Sequence, residues 1–120
     1  MLRRSIPLAF MVCLVFAALP ALAQRTGVYS LSGTNPDGSA YGGEVAMQQV
    51  GLVSWRVIWS VEGERIEGIG MSSGNVMAVM YQLGQRTGMG IFNIEANGTM
   101  IGQWTVLGSS GIGTETLTPR

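Results

Sequence analysis

Three glutamates, Glu62, Glu64 and Glu67, fall within six residues and form the densest group of side chains able to move protons in this sequence. Paired carboxylates about 5–9.5 Å apart can hydrolyse a glycosidic bond, one as acid and the other as base or nucleophile. Glu44, Glu64, Glu67 and Glu115 are the carboxylates that would have to meet in such a cleft. Glu62 and Glu64 flank Gly63, however, and a solvated hairpin tip accounts for them without chemistry. The chain has no histidine, which removes the commonest general base and the commonest metal ligand together. Its single cysteine, Cys13, lies in an N-terminal apolar run, so the rest of the chain offers neither a thiol nucleophile nor a thiolate metal site.

Asp37, with Asn35 and Glu44 nearby, supplies oxygen ligands of the kind calcium takes, but that ion needs six or more, and an Asx turn explains the segment better. Met71, Met77 and Met80 are soft thioether ligands for Cu(I) in an exported protein. Met77 and Met80 differ by an odd number, so on one strand they face opposite ways. Core filling is the simpler role for these and for Met47, Met89 and Met100. No catalytic, cofactor-binding or metal-binding residue is expected.

The N-terminus carries an address. Arg3 and Arg4 precede an apolar run over residues 6–19, Pro20 breaks it, and Ala21-Leu22-Ala23 offers small side chains for cleavage. This is the layout of a secretory signal peptide over residues 1–23, too short for a comfortable membrane span. It predicts a periplasmic or secreted protein of residues 24–120, a single domain with no membrane span and no disulfide. Beyond residue 23, five arginines stand against seven acids, a net charge of −2, and there is no lysine. A nucleic-acid partner would require a basic patch that this composition lacks.

Turn signals recur about every 8–12 residues, the spacing of an all-β sandwich or barrel. Asn35-Pro36-Asp37-Gly38 is the clearest, and Asn97-Gly98 reads as a two-residue hairpin. Seven turns delimit eight strands, near 27–33, 39–48, 52–61, 64–72, 75–83, 86–95, 99–107 and 112–118. Short connections permit only antiparallel neighbours. The expected fold is therefore an antiparallel meander closed into a small barrel, which removes both sheet edges; a β-sandwich is the alternative.

Trp55, Val57, Trp59 and Val61 alternate with Ser54, Arg56, Ile58 and Ser60, and Met100, Gly102, Trp104 and Val106 share a face. Trp55, Trp59 and Trp104 are thus the expected core, each ring burying about 150–250 Å². Glycines inside strands (Gly68, Gly70, Gly88, Gly90, Gly102 and Gly113) mark sharp bends or bare backbone covered by aromatic rings. An internal echo pairs Gln24-Arg25-Thr26-Gly27 with Gln85-Arg86-Thr87-Gly88, and Asp37-Gly38-Ser39 with Asn97-Gly98-Thr99. Duplication and a shared turn solution both explain it.

The segment 33–43, residues 55–59, Ile66-Glu67-Gly68-Ile69-Gly70, Ala78-Val79, Asn97-Gly98-Thr99, Gly102-Gln103-Trp104 and Gly113-Thr114-Glu115-Thr116-Leu117 carry a resemblance to a family of small exported, largely uncharacterised bacterial β-rich proteins. Some of that family are labelled fibronectin-binding, which implies an adhesin-like role and no particular site residue. The expected function is an exported, non-enzymatic binding protein of the bacterial envelope. Its partner is a protein or a small apolar ligand. Inhibition of a host hydrolase, carriage of a small apolar ligand and carboxylate-dependent glycan hydrolysis are the alternatives. Three tryptophans in so short a chain favour a filled interior, which moves binding to loops around 35–43 and 108–113, with Asn35, Asp37, Tyr41, Ser109 and Ser110 as contact residues.

Overall fold

Period-two alternation runs through the chain, and the computed structural model, which describes residues 26–120, converts it into eight strands. They are β1 (Gly27–Thr34), β2 (Ala40–Gln49), β3 (Ser54–Val61), β4 (Glu64–Ser73), β5 (Val76–Leu83), β6 (Arg86–Ile94), β7 (Met100–Val106) and β8 (Gly113–Pro119). The signal peptide read over residues 1–23 lies outside the described residues. Each strand pairs antiparallel with its neighbour in sequence, and β1 pairs with β8, placing Leu31 opposite Leu117. The sheet closes into a barrel, so no edge is left for another chain to pair with. Among the described residues no helix is long and apolar enough to cross a membrane.

Turn chemistry sets the strand ends. Residues 62–63 form a two-residue hairpin in which Glu62 (φ 50°) and Gly63 (φ 82°) both take positive φ, as a type I′ turn demands. Residues 35–39 and 95–99 make one and the same loop. Asn35 N–H donates to Ser39 O and Gly38 N–H to Asn35 O; Glu95 N–H donates to Thr99 O and Gly98 N–H to Glu95 O. In both, the side-chain oxygen two residues back accepts from the backbone: Asp37 Oδ1 from Ser39 N–H and Asn97 Oδ1 from Thr99 N–H, each at 2.9 Å. The Asn97-Gly98 pair therefore sits in a five-residue loop, not a two-residue hairpin. The glycine supplies the positive φ that ends a three-residue turn, and the sequence echo reports one turn geometry used twice.

The inward faces of the strands fill one half of the barrel. Tyr29, Leu31, Val45, Met47, Trp55, Val57, Met77, Val79, Phe92, Ile94, Met100 and Leu117 are buried, and Trp59 lies just above them. Trp55 Nε1 donates to Ser72 Oγ at 2.9 Å, which satisfies the one polar atom of that ring. Met47, Met77 and Met100 are core residues as expected, but Met71, Met80 and Met89 point outward and are exposed. Strand parity decides between the two sets, not methionine's affinity for cores. An eight-stranded barrel has room for packed side chains or for one small ligand. Here the end bearing loops 50–53, 74–75 and 95–99 is filled, while the other end is not.

Candidate functional site at the barrel mouth

The open end is bounded by loops 35–39, 62–63, 84–85 and 107–112. A cavity of about 170 Å³ descends from it into the barrel. Glu115 of β8 and Trp59 of β3 form its floor, one inward position above the core residues Leu117 and Val57. Tyr41 of β2, Tyr81 of β5, Trp104 of β7 and Ile66 of β4 form its walls. Asn35, Glu62, Glu64 and Leu83 stand at the rim.

Glu115, 8 % exposed, is the buried charged residue among the described residues. Its carboxylate accepts two hydrogen bonds, from Tyr41 Oη–H to Oε2 at 2.7 Å and from Trp59 Nε1–H to Oε1 at 3.2 Å. Burial pushes the Glu115 carboxyl above its ordinary range, and the two hydrogen bonds pull it back only in part. Tyr41 and Tyr81 are held well above the usual phenol range, first by burial and then by the negative charge of Glu115. Both phenols therefore stay protonated at neutral pH. Trp59 and Tyr81 pack with ring centroids 5.0 Å apart, and Tyr41 meets Trp104 edge to face at 6.4 Å. The buried Nε1–H of Trp104 has no acceptor in hydrogen-bonding geometry among the described residues, although the Tyr41 hydroxyl is its neighbour.

Each wall ring lies over a strand glycine. Tyr41 is paired across the ladder with Gly33, Tyr81 with Gly88 and Trp104 with Gly113. A Cβ at any of these glycines would come within about 2.1–2.4 Å of the ring opposite. Bare backbone is what lets the rings fold flat against the wall and leave the lumen open. The same device, Phe92 over Gly102, serves the filled half. The expected covering by aromatic rings is thus observed at Gly88, Gly102 and Gly113, with Trp59 also reaching Gly68 and Gly33 added to the set, whereas Gly70 and Gly90 face Met77 and Val79 instead of a ring.

Of the predicted contact residues, Asn35 and Tyr41 line the cavity. Asp37 is exposed and spends its carboxylate on Ser39, whose N–H and hydroxyl it holds; these bonds lower its carboxyl below the ordinary value. Ser109 and Ser110 are exposed in the loop between β7 and β8, outside the cavity, with Ser109 Oγ accepting from Gly111 N–H. Trp55 and Trp59 are buried, whereas Trp104 is half-buried and serves as cavity wall. Of the four carboxylates considered for hydrolysis, Glu64 and Glu115 share the cavity. Glu44 is tied to Arg120 and Glu67 to Arg65 on the outer face. The roles of Tyr81 and Glu115 escaped the sequence reading. For Glu115 a signal existed, because it alternates in step with Gly113 and Leu117, on the inward side of β8.

No family model and no curated protein matches this chain. Solved structures with the same fold do. A redesigned β-barrel, b11L5F_LGL, is 21% identical with a TM-score of 0.65, over 83% of this chain and 92% of that one. The redesigned barrel mFAP1, bound to DFHBI, is 17% identical with a TM-score of 0.63, over 83% and 95%. EF1p2_mFAP2b, also bound to DFHBI, is 18% identical with a TM-score of 0.66, over 86% and 97%. This chain, a closed eight-stranded barrel, thus shares the fold of these designed β-barrels.

Proposed function

We propose that this is an exported, non-enzymatic binding protein that takes a small ligand into the mouth of its barrel. The observation that carries the reading is the cavity of about 170 Å³, lined by four aromatic rings and one buried carboxylate, in a barrel whose other half is packed. A concave, largely apolar site with a few convergent polar groups is how small molecules are held. Two of the barrels with this fold are bound to the small molecule DFHBI, which supports small-molecule binding by this fold. The leader-like residues 1–23 support a periplasmic or secreted location. Against hydrolysis stand the ion pairs of Glu44 with Arg120 and of Glu67 with Arg65 outside the cavity, and the two donors already occupying Glu115.

Indole N–H resonances give a test with an internal control. Trp59 and Trp104 line the cavity and Trp55 sits in the filled half. Titration with a library of small soluble aromatic fragments is expected to shift the Trp59 and Trp104 signals and leave Trp55 in place. Fragments that move none of the three, or move Trp55 equally, would refute lumen binding.

A further inference from the structure

The cavity carries one sign of charge. Glu62, Glu64 and Glu115 all line it, and among the described residues no arginine does. The nearest arginines in sequence are engaged elsewhere: Arg65 with Glu67 on the outer face, and Arg86 with the Leu107 carbonyl. Glu62, Glu64 and Glu115 have no ion-pair partner among the described residues. Four rings, Tyr41, Trp59, Tyr81 and Trp104, surround the same space. Aromatic faces are negative at their centres and attract cations that have shed water, and a boxed arrangement of such rings is how alkylammonium groups are held. An anion entering this space would meet the buried Glu115 and two further carboxylates, with protonated phenols as its main compensation. A neutral molecule would gain the apolar walls but nothing from the charge. The volume, about 170 Å³, is close to the roughly 150 Å³ of an apolar cavity that accepts a benzene ring. It suits one small ring or one trimethylammonium group, with the remainder of the molecule emerging between the rim residues.

Resting on the lumen-binding reading above, we infer that the ligand is a small organic cation, an amine or quaternary ammonium on an apolar body. Its positive end sits inside the ring of Tyr41, Trp59, Tyr81 and Trp104, facing Glu115. Glu62 and Glu64 draw it to the mouth. Their exposed position makes that attraction sensitive to salt, whereas the interaction with the buried Glu115 is screened far less.

Three probes of similar size and different charge decide the matter: benzyltrimethylammonium, benzyl alcohol and benzoate, each titrated while the Trp59 and Trp104 indole signals are followed. The cation is expected to bind at least tenfold more tightly than the alcohol, and benzoate to give no shift. Glu62→Gln with Glu64→Gln, a pair that keeps side-chain length and shape at the solvated rim, is expected to weaken the cation at least threefold at low salt and leave the alcohol unchanged. Glu115→Gln is expected to weaken it by tenfold or more. Equal binding of alcohol and cation, or cation affinity indifferent to the rim substitutions and to Glu115→Gln, would overturn the charge assignment while leaving a ligand-binding lumen intact. Absence of binding by all three probes would overturn both.

Discussion

Glu115 concentrates the tension of this molecule in one side chain. Its charge is unfavourable inside the barrel, yet two donors are aimed at it. Because its folded-state pKa is raised, the native state holds this proton more tightly than the unfolded chain does. The Glu115 contribution to stability is therefore greatest at acid pH, and it declines as pH rises from the ordinary value of 4.5 through the raised one. Denaturant unfolding of the protein and of Glu115→Gln between about pH 4 and 8 should show this: stability relative to the variant falls with rising pH, and a difference that grows in the opposite sense would contradict the assignment. The two cavity tryptophans should respond differently to loss of the indole N–H. Trp59→Phe strips a donor from a buried carboxylate and is expected to cost about 1.5–3 kcal/mol. Trp104→Phe removes an N–H that has no acceptor, so its effect should stay within about 1 kcal/mol, lost ring area offsetting the relief. Urea midpoints of the two variants test the contrast.

At the scale of elements, the recurring unit is a ring on one strand lying over a glycine on the next. The residue types were legible in the sequence, since glycines inside alternating strands are unfavourable unless something covers them. Their pairing was not, because Tyr41 meets Gly33 and Trp104 meets Gly113 only through the hairpin registers. A methyl at Gly113 would sit about 2.2 Å from the Trp104 ring, so Gly113→Ala should cost about 1–3 kcal/mol and swing Trp104 into the cavity. Loss of the Tyr41–Trp104 contact in near-ultraviolet circular dichroism, together with the stability loss, would register the change. The hairpin at residues 62–63 offers the opposite effect. Glu62 holds φ 50°, a region that asparagine tolerates better. Glu62→Asn should stabilise the fold by about 1 kcal/mol, measurable by thermal or chemical unfolding.

The whole molecule is divided twice, once along its axis and once around it. Along the axis, a packed half supports an open half, so the core variant Leu117→Ala, at the seam where β8 meets β1, is expected to cost about 2–5 kcal/mol. Around the axis, the outer surface has a polar side and an apolar side. Ser30, Ser32, Glu44 and Arg56 face out from β1 to β3, whereas Ile69, Met80 and Met89 form one outward row across β4 to β6 and Met71, Ala78 and Ile91 form the next. Contiguous exposed apolar surface of this kind binds apolar probes. Met80→Lys should leave stability within about 0.5 kcal/mol of the parent and reduce the fluorescence of bound anilinonaphthalene sulfonate. Undiminished dye binding would show that the patch is not where the dye sits.

The sequence by itself determined the local facts: eight strands, which residues of each share a face, and where the turns fall. These follow from a two-residue repeat and from the φ preferences of a few turn residues, both readable without a partner strand. The structure alone decided that the barrel is half full, and that Tyr41, Trp59, Tyr81, Trp104 and Glu115 converge from five different strands. Convergence depends on the stagger between strands around a closed ring, and a one-residue slip would turn every side chain of a strand to the other face. Whether the interior fills depends on the volume the closed ring encloses against the side chains it must hold, a balance that exists only once β8 has met β1.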